Sequence, residues 1–520
     1  MTTPSGAREG LSSVTRGTLF LFVATLCYIG LNFVARVILV RSISPADWDA
    51  FSFGLALLGV AAAAGSVGLP NAVARSLPFA TTEPQRRSIV RGALAVGGGA
   101  AVASGVVLWL LGPWITTALH LPALGPTLIA FPIAVAATIG VNLIASVFQG
   151  YEDVTPNALF IQILPFGLFV AFLGGTLLLG SSGINYGAAL GAYAVANVVS
   201  LALVIAYYLA RIPRYLTPGA GAPGALGHLL VFAAPLLLVT LMTSIVGFGD
   251  TLVLGAFDPA GIGTYTNSLT LARLLLVGVT AASYIFLPVA TRLHRQSDTT
   301  AVGVTYVTVT KWMILFSLPL FLLFVFLPAR SLEFVYGSAY AVVVVPLQVA
   351  TFGAFLVTAL GPSANAQVAF GQTRLLALNS VVAAAVDIGL AFALVPIYGL
   401  TGAAVAWAVA NTVYTALSLG ELAWITGVHP FRPHFVVPLV ATAVPVALFL
   451  EFAPVRYPFW SLPLVAVGIA VLLVLVILAT RSVDEGDRLL LGALENLVGR
   501  PLPLLRRIGR LGLPRTNGGR

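Results

Sequence analysis

Apolar runs of about twenty residues recur from Gly17 almost to Thr480, separated by short clusters of Pro, Gly and charge. A bilayer core about 30 Å thick takes roughly 20 mostly apolar residues per helical span. The pattern predicts fourteen spans, starting near Gly17, Ala50, Ile89, Leu124, Asn157, Ile184, Leu229, Asn267, Val304, Ala341, Leu375, Leu400, Phe435 and Phe459. The first run, Gly17 to Val40, is too long for the apolar core of a cleavable signal peptide and is expected to remain as a helix.

Composition agrees with that pattern. The chain is 59% hydrophobic and 8% charged, where soluble domains carry roughly a quarter charged residues. An all-α polytopic membrane protein is expected. Cys27 is the only cysteine, which excludes disulfides and cysteine-based metal sites. The stretch VGGGA at 96–100 lies within a span and no Gly-Lys-Ser/Thr follows it, so it is no phosphate loop. No cofactor and no metal is expected.

Lys and Arg concentrate in cytoplasmic loops. With the N-terminus cytoplasmic, that side collects Arg8, Arg16, Arg75, Arg86, Arg87, Arg91, Arg211, Arg214, Arg292, Arg295, Lys311, Arg374, Arg432 and eight arginines from Arg481 onward, 21 of 26 basic residues. Only Arg41, Arg330 and Arg456 fall in the opposite loops. Both termini are therefore expected inside, and the net charge of +9 is an orientation signal rather than a sign of nucleic-acid binding. In the tail, Leu490, Leu494, Leu497 and Val498 share one helical face, with Arg500, Arg506, Arg507 and Arg510 following. That is the pattern of an interfacial helix on anionic lipid, or equally of a disordered basic tail.

The chain repeats itself. SPADWDAFS at 44–52 returns as DPAGIGTYT at 258–266, and YAVAN at 193–197 as WAVAN at 407–411, both at an offset of 214. LPNAVAR at 69–75 has a looser echo in LPVATR at 287–292. Six spans separate equivalent points, so the copies share one orientation, as parallel repeats do. The expected organisation is a cytoplasmic N-terminus (1–16), a six-helix lobe (17–212), a cytoplasmic linker (213–226), a second six-helix lobe (227–425), two further spans (432–480) and a basic tail (481–520).

RVILVRSISPADWDAFSFGLALLGVAAAAGSVGLPNAVAR resembles the opening of the polysaccharide-type flippases, and DTLVLGAFDPAGIGTYTNSLTLAR resembles their seventh and eighth spans. These flippases belong to the multidrug/oligosaccharidyl-lipid/polysaccharide (MOP) exporter superfamily, and the likeness covers roughly residues 14 to 480. It departs at Thr251, where a basic residue is common, and at Asp49, where Gly is usual. The resemblance implies two lobes around a central cavity in the cytoplasmic membrane. It also implies a flippase that moves a polyprenyl or dolichyl phosphate-linked oligosaccharide by alternating access, with cavity arginines receiving the anionic head group. Partners would be the lipid-linked sugar, membrane lipids and glycosyltransferases of the same glycan pathway, and the protein would be a monomer.

A charge at mid-bilayer costs about 2.5–3.5 kcal/mol on translocon scales, so charges inside spans call for an explanation. Arg36 maps onto Asp250 at the 214 offset, and Arg273 comes early in the eighth span. They are candidates for substrate binding and for a gate, with Arg75 at the end of the second span as a further candidate. A snorkelling Arg36, a static ion pair at Asp250 and a topological role for Arg75 are the structural alternatives. Asp387, in VVAAAVDIGLAF, is the candidate coupling residue, or else hydrogen-bonds a neighbouring helix. Asn197, Asn411, Asn365 and Gln367 fit interhelical hydrogen bonding.

The alternative cargo reading is a cation-coupled multidrug-type antiporter of the same superfamily, against which counts the lack of a carboxylate inside the first six spans. A membrane enzyme would need acidic or His groups on sizeable outer loops. The outer loops are short and hold few such groups beyond Asp47, Asp49, His120, Asp258 and Glu333.

Overall fold

The computed structural model describes residues 5–179, 183–212, 224–296, 298–427, 436–452, 458–480, 482 and 487. The tail positions Leu490, Leu494, Leu497, Val498, Arg500, Arg506, Arg507 and Arg510, and linker residues 213–223, lie outside these. Thirteen helical stretches among the described residues are long and apolar enough to cross a membrane, and Val436–Phe452 is a shorter apolar helix. All fourteen expected spans are thereby helices. In lipid the backbone must satisfy its own hydrogen bonds, and no strand occurs among the described residues.

The chain divides into two compact units, residues up to Gly263 with Ala391–Leu400, and Thr264–Leu390 with the remainder. The first unit contains α1 (Ser5–Ser42), α2 (Pro45–Gly65), α3 (Leu69–Ser76), α4 (Glu83–Ala118), α5 (Leu124–Gln149), a π-helical turn (Asn157–Ile163) running into α6 (Leu164–Leu179), α7 (Tyr186–Arg211) and α8 (Ala225–Phe257). In α4 the residues Ala93, Gly97, Ala101, Gly105, Leu108 and Gly112 form a buried stripe at spacings of three and four, the small-residue interface that lets membrane helices approach closely. A Cβ at Gly105 would lie 2.8 Å from the Pro132 carbonyl of α5, whereas Gly98 and Gly99 face open space.

Along α2 and α3, α8 packs antiparallel: Phe53 fills the space beside Gly255, Phe248 that beside Gly59, and Gly68 abuts Ala233 and Leu237. Gly68 has φ +66°, a conformation that glycine adopts without strain. A buried aromatic cluster of Trp48, Phe51, Phe131, Phe169 and Tyr193 ties α2 to α5, α6 and α7.

The second unit takes in most of α9 (Ile262–Arg273), then α10 (Val277–Arg295), α11 (Thr299–Phe326), α12 (Pro328–Tyr336), α13 (Val345–Ala359), α14 (Ser363–Ala369), α15 (Thr373–Tyr398) as far as Leu390, α16 (Leu400–Thr426) from Thr401, α17 (Val436–Phe452) and α18 (Leu462–Thr480). Its eighth span is interrupted by a 3-10 turn at Leu274–Leu276, directly after Arg273. The tenth is interrupted at Gly361 (φ +77°) and Pro362. Tyr306 of α11 donates its hydroxyl to the Leu360 carbonyl freed at that break, at 2.7 Å.

Replacing Gly105 by Leu must push α5 away from α4 and is expected to lower stability by about 1–3 kcal/mol. Gly99→Leu, on the open face of the same helix, is expected to leave the melting temperature in detergent unchanged.

Candidate functional site

Ser44 caps α2 by accepting the Asp47 amide, and Pro45 occupies the first helical position. The helix therefore begins five residues earlier than the hydropathy pattern suggests. Asp47 and Asp49 are not loop residues but lie in its first turns, and Asp49 is 6% exposed. The antiporter reading can thus no longer be discounted for want of a carboxylate in the first six spans.

The Asp49 carboxylate accepts the Gly263 amide at 2.6 Å, and the neighbouring Trp48 indole donates to the Gly263 carbonyl at 3.3 Å. Gly263 stands in the first turn of α9, where amides have no intrahelical acceptor. A carboxylate there also faces the positive end of the helix dipole. A side chain at 263 would run into the Trp48 ring and the Asp49 carboxylate, which is why the second copy of the motif carries Gly at this position. Asp49 and Gly263 are counterparts at the 214 offset, so the two copies of the repeated turn bind each other.

Arg36, on α1, lies over the Trp48 ring, its guanidinium carbon 5.0 Å from the centroid. Such contacts are worth about 0.5–1 kcal/mol when exposed and about 2 when desolvated. Asp250, in α8, is fully buried and accepts the Thr251 amide at 2.6 Å and the Thr251 hydroxyl at 3.2 Å. Arg75, at the end of α3, lies 4.8 Å over Phe232 of α8. It opens onto a pocket of about 400 Å³ whose polar wall is Arg75, Ser76, Gln85 and His228 and whose apolar wall includes Phe79, Ile89 and Phe232. Arg36, Asp250 and Arg75 thus belong to the first unit, and Arg273 and Asp387 to the second.

In the second unit Arg273 ends α9 and lies 5.6 Å over Trp407 of α16. Asn411 donates to the Trp407 carbonyl at 2.9 Å, as Asn197 does to the Tyr193 carbonyl in the first copy. Asp387 is completely buried in α15. Gln367 and Asn379 both donate to Glu421, at 2.6 and 2.8 Å, and Asn365 donates to Ser283 at 2.7 Å. Of the amides singled out in the sequence, Asn365 and Gln367 therefore join helices, Asn197 accepts the Thr138 hydroxyl of α5, and Asn411 bonds a carbonyl of its own helix; Glu421, which the sequence did not single out, is the carboxylate on which Gln367 and Asn379 converge. Among the described residues no three His, Cys, Asp or Glu side chains gather as a metal site would require.

Lys311, counted with the cytoplasmic loops in the sequence, stands well inside α11 and is 3% exposed. Its ammonium donates to Asp487 at 2.6 Å, and the other oxygen of that carboxylate accepts the Trp312 indole at 2.6 Å. Hydropathy reads a charge as a span boundary, and a partner 176 residues away leaves no local signal. For Trp48 and Trp407 a signal existed: both lie in the repeated strings, though neither was assigned a role.

Residues 14–294 match the model of a family described as polysaccharide biosynthesis protein. No curated protein sequence matches the chain. Of solved structures, the lipid II flippase MurJ in an inward closed conformation is similar with a TM-score of 0.69 and 12% identity, over 88% of this chain and 98% of that one. An inward-facing multidrug resistance MATE family transporter of the MOP superfamily follows with 0.58 and 16%, over 79% and 98%. A MOP superfamily transporter from Pyrococcus furiosus gives 0.50 and 15%, over 79% and 96%. These likenesses establish the fold, that of a multi-pass helical membrane protein.

Asp49→Ala leaves the Gly263 amide without its acceptor and is expected to cost about 1–3 kcal/mol, while Asp49→Asn, whose carbonyl still accepts, is expected to retain most of that. Thermal unfolding in detergent distinguishes the two. Lys311→Met alone strands a buried carboxylate and is expected to cost about 3–5 kcal/mol. Lys311→Met combined with Asp487→Leu is expected to recover most of that loss in the same assay.

Proposed function

Because the chain belongs to the polysaccharide biosynthesis protein family, we propose that it is a flippase for a polyprenyl or dolichyl phosphate-linked oligosaccharide in the cytoplasmic membrane. The observation that carries this reading is that Arg36 stands within the apolar span Leu19–Ser42 and Arg273 within the span Pro259–His294, each over a buried tryptophan ring. Each costs energy to hold in lipid, and guanidinium groups bind phosphate through paired N–H donors. Arg75 adds a third cation, in a pocket whose mixed polar and apolar walls suit a head group next to its lipid.

With both termini in the cytoplasm, the head group enters from the inner leaflet and leaves at the outer one, while the lipid tail stays in the bilayer. No bond is made or broken. The work of the protein is to replace the water around phosphate and sugar with fixed donors, which lowers the barrier to crossing hydrocarbon. Asp250 is suited to exchange with the phosphate as an arginine partner, and Asp387 to couple the cycle to a proton or cation.

A cation-coupled antiporter of small amphiphiles is the second reading. It is favoured by two buried carboxylates, Asp49 in the first unit and Asp387 in the second.

Cells depleted of the protein are expected to accumulate lipid-linked oligosaccharide on the cytoplasmic leaflet. Wild type should relieve this, and Arg36→Ala or Arg273→Ala should not, although both insert normally. Unchanged leaflet distribution with reduced drug or cation efflux would replace the flippase by the antiporter.

A further inference from the structure

The three arginines proposed to meet the head group stand on α1, α3 and α9, and all three lie on aromatic rings. The rings beneath Arg36 and Arg273 are almost wholly buried, Trp48 at 1% and Trp407 at 2% exposure. Each is itself fixed. The Trp48 indole N–H is bonded to the Gly263 carbonyl and its ring stacks on Phe51 with centroids 5.8 Å apart. The backbone of Trp407 is held through the Asn411 side chain.

We propose that Trp48, Trp407 and Phe232 are positioning residues, each of which orients its own arginine, Arg36, Arg273 and Arg75 respectively, for phosphate binding. This rests on the reading of the cargo as a phosphate-linked lipid. A guanidinium has two chemically distinct surfaces. Its face is weakly hydrated and lies well on a ring, whereas its edge carries the N–H donors that fork onto an oxyanion. A ring therefore stabilises the charge in apolar surroundings while leaving the edge to a carboxylate or a phosphate.

Transport requires the oxyanion to change. A cation held only by a carboxylate would have to cross an unpartnered state whenever the phosphate arrived or left, which is costly in low dielectric. The ring contact persists through that exchange, and its orienting effect means that less side-chain entropy is lost on binding. Lysine, a point charge without a flat face, would not share this property.

The test uses the full chain in nanodiscs, with polyprenyl diphosphate and the uncharged polyprenol as paired probes. Trp48→Leu and Trp407→Leu are expected to weaken diphosphate binding about tenfold, with polyprenol binding unchanged. Trp48→Phe and Trp407→Phe, which keep a ring, are expected to restore most of the affinity. Phe232→Leu, at a partly exposed site, tests the same idea should the buried tryptophan variants fail to fold.

Equal diphosphate affinity in the Leu variants and wild type would overturn the positioning role. So would parallel loss of both probes, because that marks a purely structural contribution. If wild type itself bound polyprenol as tightly as the diphosphate, the cargo reading would fall first and the ring contacts would lose their proposed purpose with it.

Discussion

Gly263 stands in the first turn of α9, where helix amides look outside the helix for acceptors, and the Asp49 carboxylate supplies one from α2. That bond settles several neighbouring choices. Gly263 must lack a side chain because Trp48 and Asp49 close on it, and Trp48 must present its indole edge to the carbonyl of the same residue. With its ring held in this way, Trp48 carries the Arg36 guanidinium over its face and stacks with Phe51. A local requirement of helix-end chemistry thus fixes the orientation of a charge in the membrane.

The repeat gains a physical meaning from this contact. Duplicated strings in a membrane protein can reflect shared ancestry alone, but here residue 49 binds residue 263, its own counterpart. The copies have diverged in opposite senses at that point. One contributes an aromatic ring and a carboxylate, and the other gives up its side chain to receive them. Elsewhere they keep the same device: the asparagines at 197 and 411 tie back to the carbonyls of Tyr193 and Trp407, ring for ring.

The fourteen spans were legible because a helix that crosses lipid leaves a long apolar run, and the 214-residue offset was legible because it recurs in several strings. Boundaries were less so. The polar look of SPADWDAFS suggested a loop, although Ser44 followed by Pro45 is itself a helix-start signal and the buried carboxylate behind it serves a distant backbone. Arg36, Asp250, Arg273 and Asp387 stood out as charges among apolar neighbours. The rings under the arginines did not: Trp48 and Trp407 lie in the repeated strings, but nothing in a string says which charge a ring will meet, and each pairing joins residues on separate helices. Glu421 and Lys311 were passed over for a related reason: near an expected span end, a charge is read as interface.

The division of labour between the two basic side chains follows from their shapes. The chain has a single lysine among 26 basic residues, and among the described residues it is the basic side chain that is buried, between Asp487 and the Trp312 ring. A compact ammonium suits a closed pair, where the partner never leaves and desolvation is offset once, on folding. The arginines that lie on Trp48, Phe232 and Trp407 have an apolar face and a polar edge, so they can keep one contact while changing the other. Where a static join is needed, as at α11, the point charge serves. In the proposed phosphate-binding role, where an anion has to come and go, the flat cation on its ring is the side chain suited to release it while keeping a contact.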